Sequence, residues 1–243
     1  MLGLSPTDWL AVLAAAVLTG LAKTAVPGLA SIAVALCALV LPAKESTGVM
    51  LVLLLVGDVL AVWAYRRDAD RALLVRLVPS VVLGVLAGAA FLRWSTQDQT
   101  RRGIGVVLLA LVALTVFQRQ RGRRGRAPAP VRSAYGALAG FTTMVANAGG
   151  PVTSMYFLAC RFSVAAFLGT TAWFFFAVNL VKLPFTVSMG LIRPEHLALD
   201  LALAPVVVLA ALAGRRLAAR LPLRVFEPLV IATTVIAAVP LVL

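Results

Sequence analysis

The chain has 243 residues, of which 62% are hydrophobic and 13% are charged, and its mean hydropathy is +1.01. This composition excludes an ordinary soluble domain and a disordered chain, and it predicts an integral membrane protein. A net charge of +13 would suggest nucleic-acid binding in a soluble protein, but here the basic residues lie mainly between apolar segments, where they mark topology.

The first apolar stretch, residues 8–42, contains a charged and helix-breaking interruption. A continuous helix of this length would measure about 52 Å, whereas the hydrocarbon core of a bilayer is about 30 Å thick. Lys23 is costly beside lipid, and Pro27 and Gly28 disfavour a continuing helix. We therefore predict two short helical segments around a break that faces protein or a polar cavity, at residues 8–22 and 29–41.

Three longer apolar segments complete the first half of the chain, at residues 48–65, 73–92 and 103–117. The first of the three contains an acidic residue, Asp58, within its apolar sequence. The second contains Gly84 and Gly88, at the spacing that lets two membrane helices approach closely.

An arginine-rich stretch with two prolines, residues 118–132, follows these segments and reads as a linker. It predicts a chain divided into a first transmembrane repeat at 1–117, this basic cytoplasmic linker, and a second transmembrane repeat at 133–243.

The second half repeats the order of the first. Two short segments again surround a break, which here contains Asn147, Gly149, Gly150 and Pro151. A long segment then ends near Asn179, Lys182 and Pro184, and two ordinary spans follow. The predicted segments are 133–145, 152–159, 165–181, 197–213 and 226–243.

An offset of 121 residues aligns the two halves, since it places Gly28 on Gly149, Gly48 on Gly169, and Asp58 on Asn179. Together with the matching breaks, this order predicts an internal duplication.

The basic residues are unevenly distributed between the two ends of the predicted segments. One end has Lys44, Arg93, Arg101, Arg102 and Arg193; the other has the linker arginines with Arg66, Arg67, Arg71, Arg76, Arg161, Arg215, Arg216, Arg220 and Arg224. This imbalance predicts a cytoplasmic linker and both termini outside. The second repeat is then inverted relative to the first, whether the short pairs span or are re-entrant, and the inversion fails only if each pair is one broken span.

An inverted repeat with helices interrupted at matching positions is typical of secondary transporters, whose site lies near the membrane midplane. Helices that begin at such breaks point free N–H groups and their positive dipole ends into the cavity. With Lys23 and Lys182 nearby, these ends favour an anionic substrate.

The chain resembles the sulfite exporter TauE/SafE family, also called the 4-toluene sulfonate uptake permeases, along nearly its whole length. The resemblance rests on the two breaks, on the first-half tail at residues 65–70, and on Gly169, Thr170 and Thr171 followed by Asn179 and Lys182. It implies a carrier of the bacterial inner membrane for sulfite, sulfoacetate or a related sulfonate.

Each charged or amide candidate has a structural alternative. Lys23 contacts substrate or extends toward an interface, and Lys182 contacts substrate or pairs with Asp58. Asp58 neutralises a lysine permanently or exchanges a proton during transport. Asn179 is either a site residue or a packing contact between helices.

The remaining candidates for substrate binding are polar side chains and glycines near the two breaks. Hydroxyl groups in this set donate to an oxyanion or bond to their own helix. The set is Thr24, Gly28, Ser31, Asn147, Gly149, Gly150, Thr153 and Ser154, with Tyr156 as a further donor.

Enzyme chemistry has little support, because the sequence has no phosphate-binding loop, no nucleophile motif and no cluster spaced for metal ligation. We expect no cofactor, no metal and no nucleic-acid partner. Cys37 and Cys160 are expected to be small buried apolar residues, and His196 a solvated residue at a helix end.

The sequence thus predicts an all-α polytopic membrane protein that carries a small sulfur-containing anion, with the lipid bilayer as its surroundings and possible coupling to protons or cations. Export by alternating access is the leading hypothesis, and an anion channel or a non-transporting scaffold are the alternatives. The choice of anion, the coupling ion and the oligomeric state stay open.

Overall fold

The computed structural model describes residues 5–94, 128–147 and 149–238, and within these ranges the chain forms nine α-helices and no strand. The predicted segment at 103–117 and most of the linker lie outside the described residues. The helices are Pro6–Thr24 (α1), Leu29–Val40 (α2), Ala43–Tyr65 (α3), Arg71–Trp94 (α4), Ala129–Ala146 (α5), Gly149–Ala159 (α6), Val164–Ser188 (α7), Pro194–Ala218 (α8) and Leu223–Ala238 (α9).

Five of these helices, α1, α3, α4, α7 and α8, are long and apolar enough to cross a membrane. The short apolar helix α2 has 12 residues and is therefore about 18 Å long, less than the thickness of the hydrocarbon core. The predicted class, an all-α membrane protein with several spans, is confirmed.

Local sequence signals explain where several helices begin. Ser5 caps α1 by accepting a hydrogen bond from the Asp8 N–H, and the Asp8 carboxylate accepts one from the Ser5 N–H. Ser163 caps α7 by accepting from the N–H of Ala166. Helix α7 extends beyond its predicted end, past Pro184 to Ser188, which membrane helices tolerate where neighbouring helices cover the freed carbonyl.

Each break turns the chain back on itself, so that the short helix packs along the helix before it. In the second half, the ring of Tyr135 near the start of α5 stacks on Tyr156 near the end of α6, with centroids 5.3 Å apart. In the first half, Val12 and Ala16 of α1 share an apolar cluster with Cys37 of α2. The two pairs are therefore helical hairpins and not single broken spans.

Helices α3 and α7 pack against each other in opposite directions. Gly48, near the start of α3, lies against the backbone of Leu191, which follows α7. Gly169, near the start of α7, lies against the end of α3, and a Cβ there would be 2.7 Å from the Tyr65 carbonyl oxygen. These two glycines are equivalent at the 121-residue offset. The inverted relation of the halves and the domain boundaries stay predictions.

Small residues bring further helix pairs into close contact. Gly84 of α4 lies against the carbonyl group of Ala137 in α5, and Gly140 of α5 lies against Val81 of α4. Gly20 of α1 lies against Ala210 of α8, and its added Cβ would be 2.7 Å from the Ala210 Cβ. Each of these two interfaces joins a helix of the first half to a helix of the second, and the 121-residue offset places α1 on α5 and α4 on α8.

Candidate functional site

The two breaks meet in the interior of the helix bundle. The first break is the turn from Ala25 to Gly28, and the second contains Asn147 before α6 begins at Gly149. A Cβ at Gly150 would lie 3.3 Å from the carbonyl oxygen of Pro27. The hairpins therefore bring together two chain segments that are far apart in sequence.

A buried ion pair lies beside the first break. Lys23 Nζ lies 2.6 Å from Asp58 Oδ1, and the two side chains are 7% and 0% exposed. Asn179 Nδ2 donates a hydrogen bond to Asp58 Oδ2 at 2.6 Å. Lys23 Nζ also lies 4.8 Å from the ring centroid of Phe175, where a cation is attracted to the aromatic face. Lys23 and Asn179 thus hold both oxygens of the Asp58 carboxylate.

The second lysine is fully buried but has a different environment. Lys182 is 1% exposed, and within the described ranges its ammonium group contacts only neutral oxygens. It donates to Asn147 Oδ1 and lies 3.5 Å from both Thr143 Oγ1 and Asn179 Oδ1. Asp58, which the sequence analysis considered as a partner for Lys182, forms its salt bridge with Lys23 instead. With both lysines protonated, two ammonium groups and one carboxylate would give the site an excess of one positive charge.

Asn147 connects the second break to this lysine. Its φ of 52° is in the left-handed region, which asparagine adopts more easily than most residues. Its backbone N–H donates to the Thr143 carbonyl at 3.0 Å, and its side-chain amide donates to the Thr47 carbonyl at 3.1 Å. The remaining amide oxygen is thereby directed at Lys182.

A small cavity lies between these groups, with Lys23, Asp58, Asn147, Gly150 and Asn179 in its wall. The space open to the centre of a water molecule is about 20 Å³, which is room for one or two waters. A four-atom oxyanion such as sulfite does not fit without movement of the wall. The structure therefore represents a closed conformation of the site.

Lys182 is not in this wall, although it donates to Asn147, which is; the other predicted site residues also lie outside the wall. Thr24 Oγ1 donates to the Ala211 carbonyl at 2.8 Å, and Thr153 Oγ1 bonds to its own helix at Gly149. Gly28 packs against Thr233, and Gly149 packs against Thr143. Ser31 and Ser154 are buried, and their hydroxyl groups have no hydrogen-bond partner among the described residues.

The sequence argument did not propose several residues of the cavity wall for the site, among them Thr143, Thr171 and Phe175. Thr171 and Phe175 stand eight and four residues before Asn179 on α7, so helical periodicity places them on one face. The Thr171 hydroxyl is buried without a partner within the described chain. A search for polar residues on the Asn179 face of α7 would have found it.

His196 is a correction. We predicted a solvated residue, but the side chain is 2% exposed, and Nε2 lies 3.4 Å from Glu45 Oε2. Glu45 comes from α3 and also pairs with Arg193 at 3.2 Å, and such a long-range contact leaves no signal in the local sequence. Of the two cysteines, Cys37 is buried as predicted, whereas Cys160 is half-buried.

Comparison with known proteins places the chain in a family. No curated protein and no solved structure matches the chain. The family described as Sulfite exporter TauE/SafE matches residues 12–241, which is nearly the whole chain. Its members are membrane transporters of sulfur-containing anions, and this multi-pass membrane protein belongs to the sulfite exporter TauE/SafE family.

Proposed function

We propose that this protein is a secondary carrier that moves a small sulfur-containing anion across the bacterial inner membrane. It does so by alternating access, in which a site between its two halves opens to one side of the membrane and then to the other. The observation that carries this proposal is the buried ammonium group of Lys182, which contacts only neutral oxygens in the described part of the chain.

A buried charge without a counter-ion is expensive, because water no longer solvates it. Asp58 already compensates the charge of Lys23, so the Lys23 ammonium group attracts a further anion only weakly. Lys182 has no such partner, and a bound anion would supply the missing negative charge. The unpaired ammonium group of Lys182 therefore favours the binding of an anion over that of a neutral molecule or a cation.

The groups around Lys182 suit an oxyanion in particular. Asn147 and Thr143 are neutral contacts that an anion oxygen can replace at the ammonium group. The unpartnered Thr171 hydroxyl in the cavity wall is an available donor. Sulfite, sulfoacetate and related sulfonates all present several acceptor oxygens on one sulfur atom. The charge and these donors support this class without selecting one member.

The fold supports alternating access. Hairpins at both breaks and the antiparallel packing of α3 and α7 are what two inverted halves require. The short helices α2 and α6 have 12 and 11 residues, so at about 16–18 Å they end before they cross the hydrocarbon core. Gly150 and Pro27, from the two breaks, both line the cavity, and its wall has to move before an anion enters.

We place the basic linker in the cytoplasm and both termini outside, as the distribution of arginines predicts. The inside-negative potential then drives an anion outward by about 2.3 kcal/mol per charge per 100 mV. Export is the direction that needs least coupling to another ion.

Counterflow in proteoliposomes tests this function. Vesicles preloaded with unlabelled sulfite should take up labelled sulfite faster than empty vesicles, and the same panel should include sulfoacetate, thiosulfate, sulfate and a carboxylate. The Lys182→Met variant should lose this exchange, whereas Arg67→Met, which removes an exposed charge, should retain it. Flux without stimulation by internal anion would identify a channel, and no flux for any anion would support a scaffold. Normal exchange by Lys182→Met would contradict the proposed site.

A further inference from the structure

A second group of ionisable side chains lies at the beginning of α8, apart from the cavity. His196 and Asp200 are 2% and 3% exposed, and they are separated by one helical turn, so they share a face of the helix. Glu45 of α3 contacts His196 Nε2 and Arg193. The opposite ring nitrogen of His196, Nδ1, has no partner within the described residues.

Asp200 has an unusual environment for a carboxyl group. Neither of its oxygens has a hydrogen-bond partner in the described part of the chain, and its neighbours in sequence and space include the buried Leu199 and Leu203. An ionised carboxylate in such surroundings is strongly disfavoured, because neither water nor a cation compensates its charge.

Among the side chains that the structure describes, the charged groups on the helices around Asp200 have other partners. On α1, which packs along α8, Asp8 caps the exposed helix start and Lys23 pairs with Asp58. On α3, Glu45 pairs with Arg193. The titratable group of α2 that interacts with Asp200 is the thiol of Cys37, which supplies no positive charge.

We propose that Asp200 is a proton-binding site of the carrier, and that its proton is exchanged during the transport cycle. In the closed structure the Asp200 carboxyl group is neutral and holds its proton. Asp58 is unsuited to this role, because Lys23 and Asn179 hold both of its oxygens as a carboxylate. This assignment rests on the proposed transport function and names its coupling ion.

The position of Asp200 links the helix end to the anion site. One turn toward the start of α8 lies His196, which is paired with Glu45. Two turns in the other direction, about 10 Å along the helix, lies Val207. A Cβ at Gly57 would be 2.8 Å from Lys23 Cγ and 3.6 Å from Val207 Cγ1, so α8 contacts the helices that hold the Lys23–Asp58 pair. A shift of α8 would therefore expose Asp200 and alter the anion site together.

Proteoliposome transport separates this inference from the proposed function. At zero membrane potential, a pH gradient should drive sulfite accumulation by the wild type, and Asp200→Asn should reduce it at least tenfold. Counterflow at equal pH should change less than about threefold in this variant, and Asp200→Glu should restore the response to the gradient. The inference is overturned if Asp200→Asn accumulates as much sulfite as the wild type, or if the wild type exchanges sulfite but does not respond to the pH gradient. Either result leaves the proposed carrier function intact. Absence of counterflow in the wild type would overturn both.

A spectroscopic measurement tests the bound proton without transport. The infrared spectrum of the purified wild type at neutral pH should contain the carbonyl band of a protonated carboxylic acid in an apolar environment. This band should disappear in Asp200→Asn, shift in Asp200→Glu and persist in Asp58→Asn. If the wild type lacks the band at neutral pH, Asp200 is ionised and the inference is wrong.

Discussion

The ion pair between Lys23 and Asp58 should be a large source of stability that depends on both partners. We consider three variants: Lys23→Met, Asp58→Asn and the double variant. Each single change leaves the other charge buried, since the two side chains are 7% and 0% exposed and their charged atoms are 2.6 Å apart. Removing one partner of a buried ion pair costs about 3–5 kcal/mol, whereas replacing both partners is often close to neutral.

These energies give measurable shifts. For a chain of this size, 1 kcal/mol changes the Tm by about 2–4 °C, so each single variant should lose about 6–20 °C. The double variant should recover most of this loss, because it leaves neither charge unpaired. Thermal unfolding in detergent, followed by tryptophan fluorescence, measures all three. Arg67→Met is the control, because Arg67 is an exposed residue whose replacement should change the free energy of unfolding by at most about 0.5 kcal/mol.

The same series reports on anion binding. Asp58→Asn leaves both buried lysines without a carboxylate, so added sulfite should raise the Tm of this variant more than that of the wild type. The reasoning is refuted if the two single losses simply add in the double variant, or if both single variants shift the Tm no more than Arg67→Met does.

Three further predictions follow from the site and the helix contacts. Lys182→Met removes an uncompensated buried charge, so its Tm should equal or exceed that of the wild type although sulfite counterflow is lost; a large drop in Tm would contradict this. Asn147→Asp places a carboxylate beside Lys182 and cancels the excess charge, so the stabilisation by sulfite seen in thermal unfolding should disappear in a folded protein. Gly48→Ala introduces a Cβ against the Leu191 backbone and should lower the free energy of unfolding by about 1–3 kcal/mol. The control Ser188→Ala, at a small residue on an exposed helix face, should leave the Tm within about 2 °C of the wild type.

Much of the fold could be predicted because it depends on local energetic costs, such as placing a charge or a helix-breaking residue within an apolar helix. Lys23, Pro27 and Gly28 interrupt an apolar run, so a break had to lie there, and α1 does end at Thr24. The end of α7 could not be placed in the same way. Pro184 looks like a helix end in isolation, but packing of a long apolar helix against its neighbours outweighs the loss of one hydrogen bond.

The partners within the site depend on tertiary packing and could not be read from the sequence. The cost of burial indicated that Lys23, Asp58 and Lys182 were important, but which lysine pairs with the carboxylate depends on how α1 and α7 pack against α3. The hydroxyl groups behaved similarly. Thr24 and Thr171 have equivalent chemistry, yet Thr24 bonds to Ala211 while Thr171 has no partner within the described chain.

The correspondence between the two halves explains why the protein should have one anion site and not two. Asp58 and Asn179 are 121 residues apart and bond to each other, so two positions that the predicted duplication makes equivalent meet where α3 and α7 cross. An aspartate at both positions would place two carboxylates in contact and cancel both lysines. The lysines themselves have no counterparts, since Met144 is equivalent to Lys23 and Ala61 to Lys182. Replacement of one carboxylate by an amide, together with two unmatched lysines, leaves a single excess positive charge shared between the halves.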